Sequence, residues 1–201
     1  MIRPCRGPAR RAYALAVVVP VVLIIGLSSC GHGSTTTVVP DMKRASTALN
    51  AGLKAHAAGN LTVAIADYRG ALKYDPKNKF ALYNLGVIDA TKGNYGLAED
   101  AYRVVLSLDP KYEPALFNLA ILRTARGDIK EATMLYQRAV AVDGKAAAAW
   151  LNLGLLQRAN GQRSAGDKSV QTAIRLDPKF VDPAKTTASA QPTTPSGTAT
   201  K

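Results

Sequence analysis

Four glycines, Gly59, Gly93, Gly127 and Gly161, stand 34 residues apart, each between two stretches of helical length. A fixed period of this size marks a repeated pair of elements that cannot bury its apolar face alone and must stack on its neighbours. A second set of breakers keeps the same beat. Asp75-Pro76 and Asp109-Pro110 are one period apart, and Asp177-Pro178 follows two periods later. From Ala45 the chain divides without insertion or deletion into four units, 45–78, 79–112, 113–146 and 147–180. Within each unit, glycine supplies the left-handed turn that ends a first helix. The residues after it, Asn60, Asn94 and Asp128, are expected to cap the second helix. Proline disfavours helical geometry in the residue before it and cannot donate into the ladder, so Asp-Pro should close the unit. In the third unit Gly144 stands in the proline's place and is expected to end the helix by another route.

The register exposes further regularities. Gly52, Gly86, Ala120 and Gly154 hold the eighth position, and Ala64, Ala98, Ala132 and Gly166 the twentieth. Small residues there allow the two helices of a unit to approach closely. Tyr68, Tyr102, Tyr136 and Val170 at the twenty-fourth position should fill the space between neighbours, with Ala71, Val105, Ala139 and Ala173 one turn further on the same face. Abundant alanine and an aromatic content of 6% suit packed helices better than a sandwich of sheets.

These features resemble the tetratricopeptide repeat over 136 of the 201 residues. Trp150, Leu153 and Gly154 match that family's Trp-x-x-Leu-Gly. The usual large residue at the eleventh position is missing, and Ala55, Asp89, Arg123 and Gln157 stand there. The resemblance implies an all-α fold: a right-handed α-solenoid of four helix-turn-helix units, eight helices in all, with disordered N- and C-terminal extensions. It also implies that the first helices line a concave groove through their second, fifth, sixth, ninth, twelfth and thirteenth positions. The candidate partner-binding residues are then Asn50, Tyr83, Asn84, Val87, Phe117, Asn118, Ile121, Leu151 and Asn152. A row of asparagines can donate to and accept from a peptide backbone, while apolar neighbours form side-chain pockets. Leu49 and Leu53 occupy the places of the lysine and first asparagine that chaperone-binding relatives use to clamp a terminal carboxylate, so recognition of chaperone tails is disfavoured.

The N-terminus reads as an address. Arg3, Arg6, Arg10 and Arg11 precede an apolar run from Ala12 to Leu27 that only Pro20 and Gly26 interrupt, short for a comfortable membrane span. Leu27-Ser28-Ser29-Cys30 resembles the lipobox of bacterial lipoproteins, which implies diacylglycerol transfer to Cys30 and cleavage before it. Residues 1–29 would then be a lipoprotein signal peptide, with 30–44 a flexible tether. The alternative is an uncleaved anchor with the same outward orientation. At the other end, 181–201 is expected to be a disordered tail: Val181 to Ala184 look like the aborted start of a fifth unit, and from Lys185 onward the chain is Thr, Ala, Ser, Pro and Gly, too polar to bury a core.

Composition removes other function classes. The net charge of +12 falls to +8 without residues 1–29, and the remaining excess is scattered rather than run together. Nucleic-acid binding wants a clustered basic patch. The repeats hold no cysteine, one histidine (His56) and no phosphate-binding loop, so no catalytic residue, metal site, cofactor or small-molecule substrate is expected. The expected protein is a non-catalytic adaptor or scaffold, exported and anchored to the cell membrane through acylated Cys30. It would bind envelope proteins through peptide or helix segments. The competing expectation is a structural lipoprotein that self-assembles through its terminal helices.

Overall fold

The computed structural model describes residues 40–183. The expected signal peptide, Cys30, and most of the expected tether and tail lie outside them. Eight helices fill the described residues: α1 (Met42–Ala57), α2 (Leu61–Tyr74), α3 (Lys79–Thr91), α4 (Tyr95–Leu108), α5 (Glu113–Arg126), α6 (Ile129–Val142), α7 (Ala147–Ala159) and α8 (Arg163–Leu176). Each packs on its successor, more extensively within the pairs α1–α2, α3–α4, α5–α6 and α7–α8 than between them.

Both turns of the unit are built by the recurrent residues. Gly59, Gly93, Gly127 and Gly161 adopt φ of +76°, +80°, +83° and +81°, a left-handed conformation that a Cβ would strain. Asn60 caps α2 as expected, accepting from the Val63 N–H at 3.3 Å. Asn94 and Asp128 make no cap bond. Their side chains are drawn to ionic groups at the eleventh position of the preceding helix, Asn94 Nδ2 donating to Asp89 at 3.2 Å and Asp128 accepting from Arg123 at 3.0 Å. In both units the side chain is turned toward its ionic partner and makes no bond to the free N–H groups of the helix.

The turn between units is more uniform than its prolines suggest. Asp75, Asp109, Asp143 and Asp177 are all extended residues whose N–H closes the last helical bond. Each carboxylate accepts from the N–H of the lysine two residues on, Lys77, Lys111, Lys145 or Lys179, at 2.9–3.2 Å. Gly144 therefore does not end α6 by another route. The aspartate makes the stop, and proline and glycine are alternative fillings of the same turn.

In the first, second and fourth units the contact between paired helices is close enough to require glycine, whereas the third carries Ala120 in that place. A Cβ at Gly86 would meet the Tyr102 ring at 2.8 Å, and one at Gly52 the Tyr68 ring at 2.7 Å. In the last unit the obstacle is backbone: Gly154 and Gly166 face each other, each Cβ falling within 2.8 Å of the other's carbonyl oxygen. Tyr68, Tyr102, Tyr136 and Val170 are fully or almost fully buried and form the spine of the core. The half-buried His56 brings Nδ1 to 3.3 Å from the Tyr68 hydroxyl.

The array extends slightly past its expected ends. Asp41 accepts from the Arg44 N–H at 3.0 Å, and its own N–H donates to the Tyr74 carbonyl. Residues 41–44, assigned to the tether by composition, thus start the first helix. Asp182, assigned to the tail, is 8% exposed and paired with Arg158.

Candidate functional site

Helices α1, α3, α5 and α7 place the nine candidate side chains at successive steps along the array. Asn50 is exposed on α1. Tyr83, Asn84 and Val87 on α3, Phe117 and Asn118 on α5, and Leu151 and Asn152 on α7 are each partly buried, and Ile121 is 41% exposed. Amphipathic periodicity explains the half-burial: these residues flank the buried stripes carrying Gly86, Ala120 and Gly154.

The structure joins several of them. Asn118 Nδ2 donates to the Tyr83 hydroxyl at 2.9 Å, bridging the second and third units. The Tyr83 ring lies 5.3 Å from that of Tyr112 and 5.9 Å from Tyr102. Phe117 stands 5.8 Å from Tyr136, edge to face, a favourable aromatic geometry. Asn84 turns back on its own helix and donates to the Phe80 carbonyl at 2.8 Å. Asn152 and Thr124 lie within hydrogen-bonding reach of the Tyr136 hydroxyl. The asparagine row is therefore partly structural. Asn84 and Asn118 each use one amide N–H inside the protein, which leaves an amide oxygen and a second N–H as capacity for a ligand.

Electrostatics argue against acid–base work by these tyrosines. Burial, reinforced by Tyr112, pushes the Tyr83 phenol above its usual range, with the Asn118 bond pulling the other way. Burial likewise raises Tyr136 and Tyr102. All three stay protonated at neutral pH and serve as hydrogen-bonding and packing groups. Nearby, Lys79 Nζ binds Asp109 at 2.6 Å and sits 5.3 Å and 5.4 Å from the Phe80 and Tyr112 ring centroids. The lysine hydrogen bond is the main force holding the Asp109 carboxyl below its ordinary range.

That ledge escaped the sequence reading. Phe80, 47% exposed, stands edge to face with Tyr112 at 6.0 Å and extends the apolar surface beside Asn84. It occupies the second position of its unit, already counted among the groove-lining places, so the signal was available. Among the described residues no cluster of His, Cys, Asp and Glu could hold a metal ion, and no helix is long and apolar enough to cross a membrane.

Comparisons with known proteins agree with this architecture. The family model described as the cilia and flagella-associated protein 70 middle TPR-like domain matches residues 53–176. MamA from Desulfovibrio magneticus RS-1 superposes with a TM-score of 0.60 at 23% identity, covering 68% of this chain and 77% of its own. PilF of Pseudomonas aeruginosa gives 0.61 at 22% identity, covering 69% of this chain and 63% of that one. The first TPR domain of Spaghetti (RPAP3), solved with an HSP90 peptide, gives 0.57 at 21% identity over 62% of this chain and 98% of that domain. At these identities the likeness is one of fold. No curated protein matches the sequence.

Proposed function

The chain belongs to the tetratricopeptide-repeat family, and from that premise we propose that it is a non-catalytic adaptor or scaffold of the bacterial cell envelope, holding a peptide segment of a partner protein. Repeats of this family are generally protein-interaction modules. The observation that carries the reading is the half-exposed row of aromatic and amide side chains on α3 and α5. Tyr83, Phe117 and Phe80 offer apolar ledges, and Asn84 and Asn118, oriented by their internal bonds, offer amide groups beside them. An extended segment recognised through its backbone and alternate side chains suits such a surface.

Replacing Asn84 and Asn118 together by alanine should weaken partner capture about tenfold or more, as the loss of two partly desolvated hydrogen bonds implies. Tyr83→Phe is the control, because it removes the hydroxyl that Asn118 holds and leaves the amide in place. Capture that falls equally in Tyr83→Phe, or helix loss by circular dichroism in the double variant, would show that the asparagines only support the fold. The partner itself should emerge from crosslinking in the native envelope followed by identification of what co-purifies.

Export and anchoring through Cys30 complete the proposal. Its support is the basic start, the apolar run and Leu27-Ser28-Ser29-Cys30. Cys30→Ala should leave full-length precursor and abolish labelling by a palmitate analogue. Normal processing and membrane retention of that variant would point to a different peptidase and anchor. The competing self-assembly reading gains one observation, at a different place from the terminal helices. Leu97, Val104 and Leu108 form an exposed apolar stripe on α4. A monodisperse monomer in light scattering would remove that reading.

A further inference from the structure

The last unit departs from the other three in a concerted way. At the twelfth position, where His56, Ala90 and Thr124 stand in the earlier units, it carries Arg158. At the twentieth, where the others have alanine, it carries Gly166, and a Cβ there would lie 2.6 Å from Arg158 Cγ. The same Cβ would meet the Gly154 carbonyl oxygen at 2.7 Å and the Arg158 backbone nitrogen at 2.9 Å, so the glycine serves the close helix approach and also leaves room for the arginine stem. One residue later, Asp167 takes the Nε–H at 2.7 Å and fixes the plane of the guanidinium. The two terminal nitrogens then present a fork, the geometry that matches a carboxylate in bidentate fashion. Asp182, from the segment that follows α8, fills it with bonds of 2.6 Å and 2.9 Å.

A stem with its space cleared, a head oriented by one carboxylate and a fork facing a second together make a binding site rather than a chance surface pair. We infer that Arg158 is a carboxylate receptor at the C-terminal end of the array, and that Asp182 occupies it in cis as a displaceable stand-in for an acidic side chain of a partner peptide. Helical spacing puts Arg158 on the same stripe of α7 as Leu151 and Leu155, so a bound acidic residue would sit at the end of the apolar row. The inference stands on its own geometry and does not depend on the asparagines of α3 and α5.

The stand-in is tethered only a few residues from α8, so its effective concentration is of millimolar order and an untethered rival of equal strength competes at a disadvantage. The test uses the full chain, isotopically labelled, and a nine-residue peptide with the sequence of residues 177–185 as probe. In Asp182→Asn the peptide should shift amide signals of α7 and α8 saturably in the low millimolar range. Wild type should need about two- to threefold more peptide, since its midpoint is the sum of two millimolar quantities, the peptide's own dissociation constant and the effective concentration of the tethered aspartate. A peptide with asparagine in place of its second aspartate should give no shift, nor should the authentic peptide on Arg158→Gln/Asp182→Asn. The inference fails if wild type and Asp182→Asn titrate alike, if the asparagine peptide performs as well, or if Asp182→Asn shows no shift. It fails equally if Asp182→Asn unravels α7 and α8, since Asp182 would then be a structural counter-ion.

Discussion

Tyr102→Ala should destabilise the array by about 4 kcal/mol, the range found when a large buried ring is cut back to a methyl group and its cavity cannot collapse. Tyr102 is 1% exposed, touches the Gly86 backbone on the paired helix and neighbours the Tyr83 ring. Its loss therefore opens space inside the second unit, between α3 and α4. Denaturant midpoints, with the slope checked for two-state behaviour, measure the effect. A companion variant makes the argument specific. Gly86→Ala alone pushes a Cβ to 2.8 Å from the Tyr102 ring. In the Tyr102→Ala background the ring is gone and only the Ala101 Cβ, at 3.1 Å, stays close, so Gly86→Ala should cost clearly less there than in the wild type. If Gly86→Ala has the same effect in both backgrounds, the ring is not what excludes a side chain there.

The second large effect is expected at Arg123. Its side chain is 7% exposed and binds Glu99 on α4, with Asp128 at 3.0 Å and Glu131 Oε2 at 3.2 Å from Nε. Glu99, itself 9% exposed, also holds Arg126 at 2.7 Å and Arg103 at 3.1 Å. This charged knot ties the second unit to the third at a place where the repeat pattern calls for a large apolar residue. Arg123→Ala should cost about 3 kcal/mol, at the low end for breaking a buried pair, because Glu99 retains two half-exposed arginines. Glu99→Leu combined with Arg123→Met should cost much less, since packed apolar groups replace buried charges well when both partners go. A double-mutant cycle reads the difference. Additive single effects would mean that the two side chains do not act as a pair.

The array was legible in the sequence because its turns and close approaches demand particular residues. Only glycine fits φ near +80° without strain, and only small residues fit opposite the Tyr68 and Tyr102 rings, so period and register could be read directly. The side-chain network was not legible. Whether Asn94 caps its helix depends on what Asp89 offers across the turn, and whether Asn118 faces a ligand depends on a tyrosine hydroxyl 35 residues away. Arg123 read as a missing hydrophobe because its compensation comes from the preceding unit, 24 residues back. The same holds at the end of the chain. Asp182 falls at the start of the expected tail, and a pairing with the Arg158 guanidinium 24 residues back draws it into the folded body.

The turns that join the units have a consequence beyond stability. All four aspartates leave their helices with nearly the same backbone angles, whether the next residue is proline or glycine, and each hands the chain on through the same lysine N–H. Such connectors are interchangeable parts. A unit cut at one aspartate and spliced in at another would meet a turn of the same shape, so the backbone can be lengthened by whole units wherever the Glu99–Arg123 junction of the second and third units is kept intact. The departures confined to the last unit, Arg158 and Gly166, then act as a terminus marker that any lengthened copy would have to keep at its end.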